Sequence, residues 1–279
     1  MKKLAFALTL SFGVLFFSCS KDDDGSGSTD NGTDNSTPSG QKYKKRLLIE
    51  DFTSTGCSYC PRVMYGIQKV EEETNYAEAV AIHLTWFSGT FESDKAEELI
   101  DATGASGLPA AFLNRKITWS SQTSTTQPLG LINDSGNVGL ALKVNVDSAN
   151  GTYAVDVKTS FGKDVQERKL VVYMLEDDVI ADQINGTTFF PQDTNSSGWM
   201  VDWKHKHLQR KCLTHHFGDA IAESDSKAGS EKTYSFSGSI PSGVNAAKIS
   251  FVAFVVDGFG LAENVRSAHH GDDQDFEKM

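Results

Sequence analysis

The hydrophobic pattern changes period near residue 137, and that change constrains the fold more than any single motif. Before it, short apolar runs alternate with helical spacing. "RLLIEDF" (46–52) is an apolar run bounded by charges, as expected of a buried strand. "RVMYGIQKVEEE" (62–73) sets Val63, Ile67 and Val70 at three- and four-residue intervals, which is one helical face. "AEAVAIHLTWF" (77–87) and "LPAAFLN" (108–114) read as further strands. "SDKAEELIDAT" (93–103) reads as a helix capped by Ser93, with Glu97 and Glu98 near its start. Such alternation predicts a layered α/β domain. After residue 137, "GLALKVNVDSANGTYAVDVKTSF" (139–161) alternates apolar and polar residues at period two around a turn signal, "SANGT". "RKLVVYMLED", "HKHLQRKCLTHHF", "EKTYSFSGSI" and "AKISFVAFVVDG" continue as strand candidates with no helix between them. That half predicts an antiparallel sandwich, immunoglobulin-like in outline.

The N-terminus is addressed for export. Lys2 and Lys3 precede "LAFALTLSFGVLFFS" (4–18), an apolar run too short to span a bilayer comfortably. Residues 1–18 therefore read as a signal peptide. The run ends at Ser18-Cys19, which resembles the lipobox of bacterial lipoproteins; cleavage there leaves Cys19 as the lipidated first residue. Residues 19–41, almost devoid of apolar side chains, read as a solvated tether. At about 5–6 Å times the root of its length, it reaches roughly 25 Å. Asp22, Asp23 and Asp24, just behind the lipid cysteine, resemble the signal that sends Bacteroidota lipoproteins to the cell surface. The remaining chain divides on this reading at residues 42–136, 137–271 and a polar tail, 272–279.

Acidic residues outnumber basic ones, 37 to 26, for a net charge of −11. No basic stripe appears, which argues against a nucleic-acid partner. No motif calls for a cofactor.

Of four cysteines, Cys57 and Cys60 form a C-x-x-C pair in "GCSYCP". In an exported chain disulfides can persist, so such a pair can be oxidised. Placed at a helix start, the first thiol meets free backbone N–H groups and the helix dipole, which favour the thiolate. Pro61 suits the first turn. Asp51, six residues ahead of Cys57, offers a carboxylate to take the proton of the resolving thiol. Pro109 enters a strand, and with a cis bond Leu108 would present its backbone to an extended substrate.

Residues 44–120 resemble a thioredoxin fold, and the whole chain resembles the 28-kilodalton outer-membrane lipoprotein family of the Bacteroidota. "GCSYCP" and "PAAFLNR" carry the likeness. It implies a thioredoxin-like domain ahead of a β-sandwich, with Cys57 as nucleophile, Cys60 as resolving thiol, Asp51 as buried acid and Pro109 as cis-proline. Ser58-Tyr59 stands between the cysteines where thioredoxin has Gly-Pro, which leaves the redox direction open.

Alternatives stand beside this. A lone C-x-x-C is also half of many zinc sites, or a structural clip. A clip this short gains little from cross-linking, because the benefit grows with loop length. His205, His207, Cys212, His215 and His216 form the one other ligand-type cluster, but histidines on strands are commonly plain surface residues, and no metal is expected there. Two functions remain: a lipid-anchored thiol–disulfide oxidoreductase whose partners are exported protein thiols or disulfides, or a surface binding protein in which the first domain is a scaffold and the sandwich meets a surface ligand. Either would touch the outer membrane through its lipid. The expected location is the outer membrane, facing the cell surface or the periplasm.

Overall fold

The structure, a computed structural model, describes residues 40–132 and 135–279. Cys19, the signal peptide and nearly all of the tether lie outside them. The first strand, β1 (Leu47–Thr53), is buried along its whole length. Its alternation divides two faces: Leu47 and Ile49 pack beneath the first helix, while Leu48 and Phe52 enter a second apolar cluster. The helix, α1 (Pro61–Glu73), starts on Pro61 and buries Val63, Ile67 and Val70, the stripe its sequence sets out. β2 (Ala77–His83) runs parallel to β1. α2 (Ala96–Asp101) covers the opposite face through Leu99 and Ile100. β3 (Ala110–Leu113) pairs antiparallel with β1, and β4 (Ile117–Thr118) extends it; α3 (Thr126–Gly130) is a single short turn of helix.

β5 (Val138–Asp147) and β6 (Thr152–Phe161) form the hairpin that "SANGT" signals. β7 (Lys169–Glu176) follows. β8 (Val179–Ile184) and β9 (Trp199–His205) make a separate two-stranded ribbon. β10 (Leu208–Cys212), β11 (Asp219–Ala220), β12 (Glu231–Ser239), β13 (Ile249–Val256) and β14 (Ala262–His269) complete the chain. The principal sheet runs β14-β13-β7-β10-β2-β1-β3-β4, with β11 also on β7; β12-β6-β5 form a smaller sheet.

This architecture corrects the expected fold class. Neither a self-contained α/β thioredoxin-like layer nor a separate immunoglobulin-like sandwich is present. Strands predominate, and among the described residues there are three α-helices, none longer than 13 residues. The edge of β2 is taken by β10, where Leu208 pairs with Ala81 and the Ala81 N–H donates to the His207 carbonyl at 2.8 Å. Strands from both halves of the chain thereby join one sheet. The sandwich-like part lies where the smaller sheet packs on β7 and β13. Leu170, Val172 and Met174 face that sheet, while Val171, Tyr173 and Leu175 face the other way. Strands buried on both faces read as unbroken apolar runs, as "KLVVYML" and "ISFVAFVV" do.

One local reading also changes. Ser93 does not cap α2. Its hydroxyl accepts the His83 N–H at 3.0 Å, tying the following loop to the end of β2. Lys95, left-handed at φ 62°, precedes the helix instead.

Candidate functional site

Along β1 the α1-facing side chains turn from apolar to polar: Leu47, Ile49, then Asp51 and Thr53. The chain then leaves the sheet in a tight loop. The Cys57 N–H donates to the Ser54 carbonyl at 3.0 Å and the Cys60 N–H to the Cys57 carbonyl at 3.2 Å. Cys57 and Cys60 are joined as a disulfide, sulfurs 2.11 Å apart. Gly56 is required here, because a Cβ would lie 1.8 Å from the Phe87 carbonyl oxygen. Cys60, not Cys57, occupies the position just before α1. Pro61 has no N–H, and the Arg62 and Val63 N–H groups donate to the Tyr59 and Cys60 carbonyls, which weakens the argument that free helix-start donors hold the first thiol as a thiolate. Cys57 is 4% exposed and Cys60 fully buried.

Asp51 is 1% exposed, and its Oδ1 has no hydrogen-bond partner among the described residues. Burial pushes its carboxyl up to about 8. It borders a cavity of about 600 Å³ between α1, β2 and β9, shared with Thr53, Ala81, His83, Trp203 and His205. Such a volume lies within the range of small-ligand sites. His83 and His205 meet edge to face, ring centres 5.2 Å apart, with Phe91 against both. His83 Nδ1 and His205 Nε2 are buried without hydrogen-bond partners among the described residues. Burial, then the proximity of His205 and Arg210, holds His83 well below the usual imidazole range; burial pushes His205 down to about 4. Both rings are neutral at pH 7, so the cavity floor carries little charge. On the rim His207 meets Glu71 at 2.8 Å. Burial pulls His207 down, but Glu71 and Asp177 more than offset it, leaving it above its ordinary value.

Pro109 follows a cis Leu108–Pro109 bond. The register Phe52–Ala110 brings it level with Thr53, beside the root of the cysteine loop. Sequence and structure thus gather Asp51, Cys57, Cys60 and Pro109 at one end of β1 and β3. The histidines considered as ligands go separate ways. His205 turns to His83, His207 to Glu71, and His216 to Glu98 at 3.0 Å. Cys212 is partly buried, its thiol pushed up to about 12 by burial and then by Asp94.

Sequence reasoning missed the ribbon over the loop. The Ile184 N–H donates to the Thr55 carbonyl at 3.1 Å, and the Gly186 N–H to the Ser58 carbonyl at 2.8 Å. Gln183 Nε2 donates to the Cys57 carbonyl at 3.1 Å. It missed His83 as well, whose only signal was a histidine ending an apolar strand.

Comparison with known proteins supplies the family. No curated protein matches the chain. HBP35 of Porphyromonas gingivalis is similar in fold, with a TM-score of 0.61 at 17% identity, over 83% of this chain and 77% of that one. A solved domain of the outer membrane lipoprotein Omp28 from Porphyromonas gingivalis aligns at 17% identity over 50% of this chain and 99% of that one, with a TM-score of 0.33. The family model for outer membrane protein Omp28 matches residues 96–274, beyond the cysteine pair but including Pro109. Matched over more than half its length, the chain belongs to the Omp28 family, and its place is the outer membrane.

Proposed function

We propose that this outer membrane protein exchanges thiols and disulfides with exported proteins through Cys57 and Cys60. The observation that carries the reading is the bonded pair at the root of α1, on the same strand end as a buried carboxyl whose Oδ1 has no hydrogen-bond partner among the described residues. In the oxidised state, a substrate thiolate attacks Cys57 Sγ. A substrate–Cys57 bond forms, the Cys57–Cys60 bond breaks, and the electron pair leaves on Cys60 Sγ. Asp51, protonated below about pH 8, is the acid that supplies a proton to that thiolate. A second substrate thiolate attacks the substrate sulfur of the mixed disulfide and releases Cys57 as a thiolate. The substrate is oxidised by two electrons and the pair reduced by two. Cys19 would hold the protein to the membrane by lipid, with residues 20–41 as tether.

The test is alkylation of the reduced protein against pH, with turnover of a model disulfide. The reading expects Cys57 to be alkylated ahead of Cys60 and the protein to turn the model disulfide over. A reduced protein whose Cys57 resists alkylation and which shows no turnover would end it.

One observation favours a second reading, a surface binding protein in which the disulfide is a clip: both cysteines are buried. Changing both, Cys57→Ser with Cys60→Ser, then leaves ligand binding intact.

A further inference from the structure

The ribbon of β8 and β9 covers the cysteine loop in a specific manner. Ile184 and Gly186 point their N–H groups to Thr55 and Ser58, whereas the Asn185 N–H between them turns away to the Gly198 carbonyl at 2.7 Å. Alternate donors to opposite sides are the signature of a strand lying between two partners. One partner is the ribbon's own return chain. The other is the disulfide loop, which among the described residues meets the ribbon backbone with carbonyl oxygens. Gly186 makes the approach feasible, because even a Cβ there would come within 3.2 Å of the Ser58 Cβ.

The ribbon is a two-stranded sheet of its own, paired with no strand of the principal sheet among the described residues. Its further attachment is by side chains: Gln183, Met200 and His205 are buried, His205 against His83 and Phe91. Its tip rests on α1 through two aromatic contacts: Phe189 stacked on Tyr65 at 4.6 Å, and Phe190 edge-on to Tyr65 at 5.9 Å. Asn185 stiffens the tip. It donates to the Phe189 carbonyl and to Thr194 Oγ1, and accepts from the Thr187 N–H. Ile180 and Val201 of the ribbon lie more than half exposed.

We propose that residues 183–186 are a built-in occupant of the surface on which an extended polypeptide docks to react with Cys57. The inference rests on the exchange reading above. The partner it fits is an unfolded chain carrying a cysteine, presenting N–H groups at alternate residues to the Thr55 and Ser58 carbonyls. Such a chain reaches Cys57 only when the ribbon lifts, so exchange is gated by an opening step and selects extended over folded substrates.

The experiment follows reduction of the Cys57–Cys60 bond in the intact protein by dithiothreitol and by a short unstructured peptide with two cysteines, read by mass after alkylation. Hydrogen exchange of the Ile184 and Gly186 amides is measured in parallel. Reduction should saturate with thiol concentration at the rate at which those amides open. Phe189→Ala with Phe190→Ala should raise it about ten-fold, since reactivity scales with the open fraction. Reduction that stays proportional to thiol concentration, and is unchanged in that variant, overturns the gating while leaving exchange standing. A bond that no thiol reduces in either protein removes the exchange function, and the gate with it.

Discussion

Asp51 is the acid of the proposed exchange, and its burial has a consequence for stability. Its folded value, about 8, is raised above the ordinary 3.8. Below pH 4 the carboxyl is protonated in folded and unfolded chains alike, and burial carries no ionisation cost. Between pH 4 and 8 only the unfolded chain ionises, so stability falls as pH rises. The total approaches several kcal/mol at about 1.4 kcal/mol per unit. Asp51→Asn should flatten that slope and stabilise the protein at pH 8, as urea unfolding at pH 5 and pH 8 will show; an unchanged slope would mean the carboxyl is ionised in place. Arg115 raises a different point. Its guanidinium stands 3.4 Å from the buried Glu50 carboxylate and donates to the Tyr173 hydroxyl and the His216 carbonyl. Arg115→Met strands a buried carboxylate and should cost about 3–5 kcal/mol, measured by urea unfolding. The cysteines, Asp51 and Pro109 were legible because spacing brings them together along neighbouring strands. Gln183 and Gly186 were not, because they reach the loop from over a hundred residues downstream.

At the scale of elements, β1, α1 and the β5–β6 hairpin follow directly from local pattern. The β8–β9 ribbon does not. "VIADQI" mixes apolar and polar residues without a clean period, since one of its edges faces a loop instead of a strand. Ser93 misled for a related reason: the same hydroxyl that caps helices also closes turns, and the β2 end captures it. The joint between β2 and β10 is a single pair of residues, so its integrity depends on Leu208, which is fully buried. Leu208→Ala should cost about 2–5 kcal/mol and weaken protection of the Ala81 amide, which hydrogen exchange reads. Normal protection of that amide would show that the joint does not depend on the leucine.

For the whole molecule, the continuous sheet is what sequence could not foretell. Alternating segments and period-two segments each suggest a domain of their own, and nothing local in "HLQRKC" shows that its strand will close the edge of one begun at residue 77. With both halves in one hydrogen-bonded sheet, unfolding should be one transition by far-ultraviolet circular dichroism and by tryptophan fluorescence. Two separated midpoints would mean that the sheet parts at the β2–β10 joint. The most direct test of the account as a whole is covalent. In the Cys60→Ser protein, displayed on outer membranes and exposed to exported proteins, Cys57 is predicted to hold its partners as mixed disulfides that dithiothreitol releases. A Cys60→Ser protein that is folded, reduced and recovered free of any adduct would contradict it.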